Sequence, residues 1–162
     1  MTKSSVYLET TVIGHLVGRM HSDPVIAGRQ TVTREWWNVA KERFRLIVSQ
    51  VVVDECAAGD AQAAEERLAA LHDLEFLPNS DDAKSLAALL IERGAVPVSE
   101  PRDALHISIA AASGVEYLLT WNFKHIANAT TRDLIEQTCR DAGWEPPTIC
   151  TPDELSGAEN AS

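Results

Sequence analysis

The feature that most constrains this chain is an alternation of five short apolar runs with segments long enough for one or more helices. Strands are expected at Ser5–Glu9, Leu46–Ser49, Glu75–Leu77, Glu116–Thr120 and Thr148–Cys150. Between them apolar residues recur at helical spacing, as in Ala83, Leu86, Ala87 and Leu90, or in Leu105, Ile109 and Ala112. Gly94 and Gly114 stand where two of these helices should stop. Strands joined through helices need crossover connections, so the pattern predicts an α/β fold with a mostly parallel sheet and helices on both faces.

At 162 residues and 17.7 kDa the chain suits one domain with a core large enough to fold without disulfides or metal. No internal repeat, low-complexity tract or Gly/Ser linker divides it. The expected organisation is a domain over residues 1–155 and a disordered tail at 156–162, SGAENAS. Cys56, Cys139 and Cys150 are odd in number, widely spaced and free of any metal-ligand pattern, which reads as reduced thiols in a cytoplasm. The apolar run in MTKSSVYLE is too short for a signal peptide and is interrupted by Glu9. No apolar segment approaches the roughly 20 residues that span a bilayer, so the expectation is a soluble, cytoplasmic protein with no membrane partner.

The net charge of −10 argues against a polyanionic partner, because phosphate binding is driven by Lys and Arg. The charge is uneven, however. Residues 1–53 hold seven Lys/Arg against four Asp/Glu, a surplus of three, which leaves −13 for the remainder. Such asymmetry is compatible with one basic face on an acidic body, and equally with ordinary solvated helix surfaces.

Ligands of open α/β sheets bind beyond the carboxyl ends of the strands, and four polar residues fall at such positions. Glu9 closes the first strand in VYLETT, where an acid also suits the N-terminus of the next helix and where Thr10 and Thr11 can cap it. Glu55, in SQVVVDECAAGD, lies between one and two turns into a helix that Ser49 would cap; a surface acid beside Asp54 is the ordinary alternative. Asp103 opens DALHISIAAASG, a helix so apolar that it must be central, although acids in first turns are common for capping alone. Asn122 follows the fourth strand in LLTWN. Nearby, Arg102, Lys124 and His125 flank these positions; His106 and His125 read first as packed or surface histidines. The Trp36–Trp37 pair reads as a packing or partner surface rather than a base-stacking platform.

Taken together, VYLETT, the S-x-x-V-x-x-E of SQVVVDE, DALHISIA and LLTWN closely resemble the PIN-domain family, and within it the VapC-type ribonucleases of toxin–antitoxin pairs. These pieces match the family's first-strand acid, its helix glutamate, its third acid and the strand that ends in its fourth acid. The resemblance spans roughly residues 5 to 151, including TICTPDEL, and is most specific in DALHI with LLTWNFKHIANA. It implies a three-layer α/β/α fold with a central parallel sheet of about five strands. It also implies a cleft of clustered acids, hydrolysis of RNA phosphodiester bonds with Mg²⁺ or Mn²⁺, a small antitoxin protein as partner, and a homodimer. Two positions depart from the family pattern: Glu9 stands where Asp is usual, and Asn122 stands where the last Asp is usual.

On that resemblance Glu9, Glu55, Asp103 and Asn122 form the catalytic set, with Glu9 and Asp103 as direct metal ligands. Hard divalent cations prefer such oxygen donors, and Mg²⁺ takes only one or two carboxylates while keeping several waters. Glu55 is expected to bind a metal water or orient the nucleophile. Thr10, Arg102 and Lys124 are expected to contact substrate, and Asn122 offers a carbonyl oxygen or an N–H but no charge. A PIN-like RNA- or protein-binding module that has lost catalysis through Asn122 is the competing reading. A phosphoacceptor receiver domain is disfavoured, since it wants an acidic pair at the end of the first strand, where VYLETT has one acid.

Overall fold

Val6, Tyr7 and Leu8 are completely buried, as a strand in the middle of a parallel sheet must be when helices cover both of its faces. The structure, a computed structural model, describes residues 2–156. In chain order its elements are β1 (Ser4–Leu8), α1 (Thr10–Leu16), α2 (Pro24–Arg43), β2 (Phe44–Ser49), α3 (Gln50–Cys56) and α4 (Ala61–Ala70). They continue with β3 (Glu75–Leu77), α5 (Asp81–Glu92), α6 (Pro101–Ala112), β4 (Tyr117–Leu119), α7 (Arg132–Asp141), β5 (Thr148–Cys150) and α8 (Pro152–Ser156). Of the expected tail, Ser156 ends α8, and residues 157–162 lie outside the described residues.

All four strand pairings are parallel and the sheet order is β3-β2-β1-β4-β5. Val6 is flanked by Leu46 of β2 and Tyr117 of β4. Crossovers therefore carry the chain from β1 to β2 to β3 in one direction and then back past β1 to β4 and β5. α1 contacts α2, α3 and α4, α3 contacts α4, and α5 contacts α6 and α7, with α3 also touching α6. The reversal of direction beside β1 is a topological switch point, where open sheets of this class leave a crevice at the carboxyl ends of the strands.

The five expected strands are present, with ends that differ by a residue or two. Glu9 and Thr120, expected inside strands, lie just beyond β1 and β4; each still donates its N–H to the neighbouring strand, and Glu9 also serves as the N-cap of α1. The apolar stripe of α5 is buried as its spacing predicts, at Ala83, Leu86, Ala87 and Leu90. α6 buries Asp103, Ala104 and every residue from His106 to Ala111, so this helix is central. Gly94 and Gly114 terminate α5 and α6 with φ of 76° and 70°, a left-handed turn that costs glycine nothing. Trp36 is buried and stacks on Phe44 with centroids 6.1 Å apart, whereas Trp37 is half-buried beneath the Lys41 ammonium. The three cysteines are free and buried, and burial pushes the Cys56 and Cys139 thiols up to about 11. Among the described residues no helix is long and apolar enough to cross a membrane.

Candidate active site

Glu9 is fixed by the place where β1 ends. Its backbone N–H donates to Leu119 O of β4 at 3.0 Å. Its carboxylate Oε1 accepts from Thr11 N at 3.2 Å, from the Thr11 hydroxyl, and from Thr120 Oγ1 at 2.7 Å. Thr11 Oγ1 in turn accepts from Trp121 N at 2.9 Å, and Thr120 Oγ1 accepts from Asn122 N at 2.9 Å. Two hydroxyls thus tie the ends of β1 and β4 to one carboxylate oxygen. Glu9 itself caps α1 through Thr11 N, so Thr10 and Thr11 are the first helical residues and not the expected caps.

Glu55 projects from α3 toward the same end of the sheet. Its Oε1 accepts from Thr10 Oγ1 at 2.7 Å and from His106 Nε2 at 2.6 Å. Burial pushes the Glu55 carboxyl up, but the His106 hydrogen bond, attraction to His106, the Thr10 hydroxyl and Arg102 outweigh it and hold the carboxyl below its ordinary range. Ser49 occupies the N-cap position of α3 but makes no capping hydrogen bond. Its hydroxyl lies 2.7 Å from Tyr7 OH instead.

Asp103 sits in the first turn of α6, 8% exposed. Burial pushes its carboxyl above the ordinary range, and the charges of Glu9 and Glu100 push the same way. A hydrogen bond with the Asn122 side chain and attraction to His106 oppose them without prevailing. Asn122 also accepts from His125 N through Oδ1 at 3.0 Å, so the amide is held from both ends. Glu55, Ser99, Glu100, Pro101, Arg102 and Asp103 line a cleft of about 320 Å³. Arg102 and Lys124 are exposed and Thr10 is half-buried; of these three, Arg102 lines the cleft.

The carboxylates and Thr10 were the legible part of this site, and the Thr11 and Thr120 hydroxyls and the role of His106 were not. His106 is three residues after Asp103, one helical turn along the same face, and Tyr7 precedes Glu9 by two, on the same face of β1. Either spacing was a usable signal. Ligand atoms of Glu9, Glu55 and His106 all lie within 4.8 Å of one another, as do those of Glu100, Asp103 and His125. The donor chemistry fits a hard divalent cation: Glu9 and Glu55 each use one oxygen on protein donors, and Asp103, pushed up by burial and by the Glu9 and Glu100 charges, is a carboxyl whose ionised form a cation would stabilise. His106 is engaged at both ring nitrogens, by Glu55 and Tyr7.

No protein-family model matches the sequence, and no curated protein matches it. Among solved structures, a chain in the crystal structure of VapBC2 from Rickettsia felis, bound to a DNA fragment from their promoter, superposes with a TM-score of 0.56. The match is 16% identical and covers 90% of this chain and 97% of that one. The fold is PIN-like. A chain of VapBC-5 from Mycobacterium tuberculosis, a member of the VapBC family of toxin-antitoxin systems, aligns with a TM-score of 0.46 and 21% identity over 80% of this chain and 95% of that one. In the PIN-like sheet of this protein, Glu9 and Asn122 follow the two strands that flank the switch point, β1 and β4.

Proposed function

We propose that this chain is a metal-dependent endoribonuclease that hydrolyses RNA phosphodiester bonds as the toxin of a toxin–antitoxin pair. The observation that carries the proposal is that Glu9 and Glu55 have ligand atoms within 4.8 Å of each other and of His106, while Asp103 lines the same cleft as Glu55 and feels the Glu9 charge. Carboxylates held this way repel one another by an amount on the order of 4 kcal/mol per pair near 4 Å at an effective dielectric of 20. A cation relieves that repulsion. The PIN-like fold and the resemblance of VYLETT, DALHI and LLTWN to VapC-type ribonucleases support the same reading.

Glu9 and Asp103 are the residues that would hold Mg²⁺ or Mn²⁺, which when bound supplies Lewis-acid polarisation of the phosphate and a more acidic water. Glu55, anchored through Oε1 by Thr10 and His106, takes a proton from the attacking water at its other oxygen. The water oxygen bonds to phosphorus, one P–O ester bond breaks, and the leaving oxygen takes a proton from solvent. Arg102 and Lys124 neutralise flanking phosphates, which offsets the acidic body locally. Asn122 orients Asp103 and adds no charge to the site.

A cytoplasmic location, a small antitoxin as inhibitor and a homodimer are further parts of the proposal, by analogy with VapC-type proteins. A second reading, a PIN-like RNA- or protein-binding module without catalysis, draws on Asn122, whose amide serves the hydrogen bonds of Asp103 and His125. Incubating the purified protein with single-stranded RNA in Mg²⁺, Mn²⁺ or EDTA separates the two. Cleavage in either metal, abolished by EDTA and by Asp103→Asn, supports the nuclease; RNA retained uncleaved in every lane supports the binding module.

A further inference from the structure

Beneath the carboxylates runs a buried polar chain that the proposed reaction does not itself require. Ser49 Oγ lies 2.7 Å from Tyr7 OH, Tyr7 OH lies 2.7 Å from His106 Nδ1, and His106 Nε2 lies 2.6 Å from Glu55 Oε1. Ser49, Tyr7 and His106 are fully buried, in three different elements: β2, β1 and α6. Polar side chains without access to water are costly unless every link is made, and here every link is made. Burial, which outweighs the Ser49 hydrogen bond, keeps the Tyr7 phenol protonated. An ionised Glu55 offers no proton, so His106 Nε2 must carry one whatever the state of Nδ1.

The consequence for Glu55 is geometric. Both of its hydrogen bonds, from Thr10 and from His106, end on Oε1, and among the described residues none goes to Oε2. The ring of His106 is itself held edge-on to Tyr7, with centroids 5.7 Å apart and planes at 65°. We propose that Tyr7 and His106 are positioning residues that clamp the Glu55 carboxylate by one oxygen and leave the other directed to the cleft. This rests on the nuclease reading for its catalytic consequence, though the clamp itself is a property of the fold. It is the arrangement expected of an outer hydrogen-bonding partner that fixes a functional group, and loss of such partners commonly costs about 10–100-fold in activity.

The test compares Tyr7→Phe, His106→Leu and His106→Gln with the wild-type protein in steady-state cleavage of single-stranded RNA in Mn²⁺. Phe deletes only the Tyr7 hydroxyl, and Gln restores an amide N–H near the position of Nε2. The expected results are a kcat lowered about tenfold in Tyr7→Phe and about 100-fold in His106→Leu, with KM within about twofold of wild type. His106→Gln should recover most of the loss. If His106→Leu fails to fold, Tyr7→Phe decides. The imidazole nitrogen and Glu55 carboxyl NMR shifts give a readout independent of cleavage: a proton on Nε2, a Nδ1 shift in Tyr7→Phe, and an altered Glu55 carboxyl in the His106 variants. If the wild-type protein cleaves no RNA, the nuclease reading fails and the NMR shifts alone decide the clamp. Unchanged kcat in folded Tyr7→Phe and His106→Leu, or a Glu55 carboxyl shift indifferent to His106, overturns it.

Discussion

Replacing Asn122 by Asp converts a hydrogen bond into a repulsion. In the native protein the Asn122 side chain hydrogen-bonds to a buried Asp103 carboxyl that the Glu9 and Glu100 charges already disfavour. Asn122→Asp loses that donor and sets a second carboxylate against the first. At about 4 Å and an effective dielectric near 20 the repulsion is about 4 kcal/mol. Proton uptake limits the cost: neutralising one ordinary aspartate at pH 7 takes about three pH units at 1.36 kcal/mol each, again about 4 kcal/mol. Because Asn122 is only half-buried, solvent screening lowers the estimate to about 2–4 kcal/mol. For a domain of this size that is a fall in melting temperature of between about 4 and 16 °C. The penalty is fully present above the raised carboxyl range and disappears as the pH falls and the pair takes up a proton. The assay is thermal melting at pH 7 and pH 4.5, with and without Mn²⁺, together with calorimetric Mn²⁺ titration. The variant should melt lower than wild type in EDTA at pH 7, recover at pH 4.5 and in Mn²⁺, and bind Mn²⁺ more tightly. Unchanged melting in EDTA together with unchanged Mn²⁺ affinity would refute the placement of Asn122 against Asp103.

Asp103→Asn should act in the opposite sense, raising the melting temperature in EDTA, because the ionised form of a buried carboxyl with a raised pKa destabilises the fold above its ordinary range, while abolishing cleavage. The depressed Glu55 carboxyl contributes stability above its ordinary value of 4.5 that is lost as the pH falls through the lower folded value. Glu55→Gln should therefore flatten the acid limb of a stability-against-pH curve measured by denaturant unfolding. Gly114→Ala should cost about 1–2 kcal/mol in urea unfolding. The cost is purely conformational, since φ is +70° and nothing lies within 4 Å of the added Cβ. Leu118→Ala, at a fully buried position of β4, should cost about 2–5 kcal/mol in the same assay.

The sheet was readable because its strands are short, apolar and spaced by helices, and because α5 carries a clean stripe ended by glycine; in α6 the expected stripe of Leu105, Ile109 and Ala112 is buried only at Ile109, since that helix is buried nearly all round. Strand ends were less readable, since Glu9 and Thr120 keep a backbone bond to the neighbouring strand while their side chains tie the start of α1 to the end of β4. Carboxylates announced themselves by standing after apolar runs. Tyr7, Ser49 and His106 did not, because each also suits a core position by size and spacing. Only three-dimensional pairing across β1, β2 and α6 distinguishes a packed histidine from one that grips Glu55. Asn122 was conspicuous as an amide at a strand end, yet its bond to Asp103 depends on how α6 docks beside β4, which no local pattern encodes.

The most direct measurement is an anomalous-difference map from crystals of the protein grown with Mn²⁺. A peak contacting the carboxylates of Glu9 and Asp103, absent in Asp103→Asn crystals grown the same way, is the predicted result. A fully occupied peak elsewhere, or density showing Glu9 and Asp103 free of metal at saturating Mn²⁺, would contradict the assignment of this crevice as the catalytic centre.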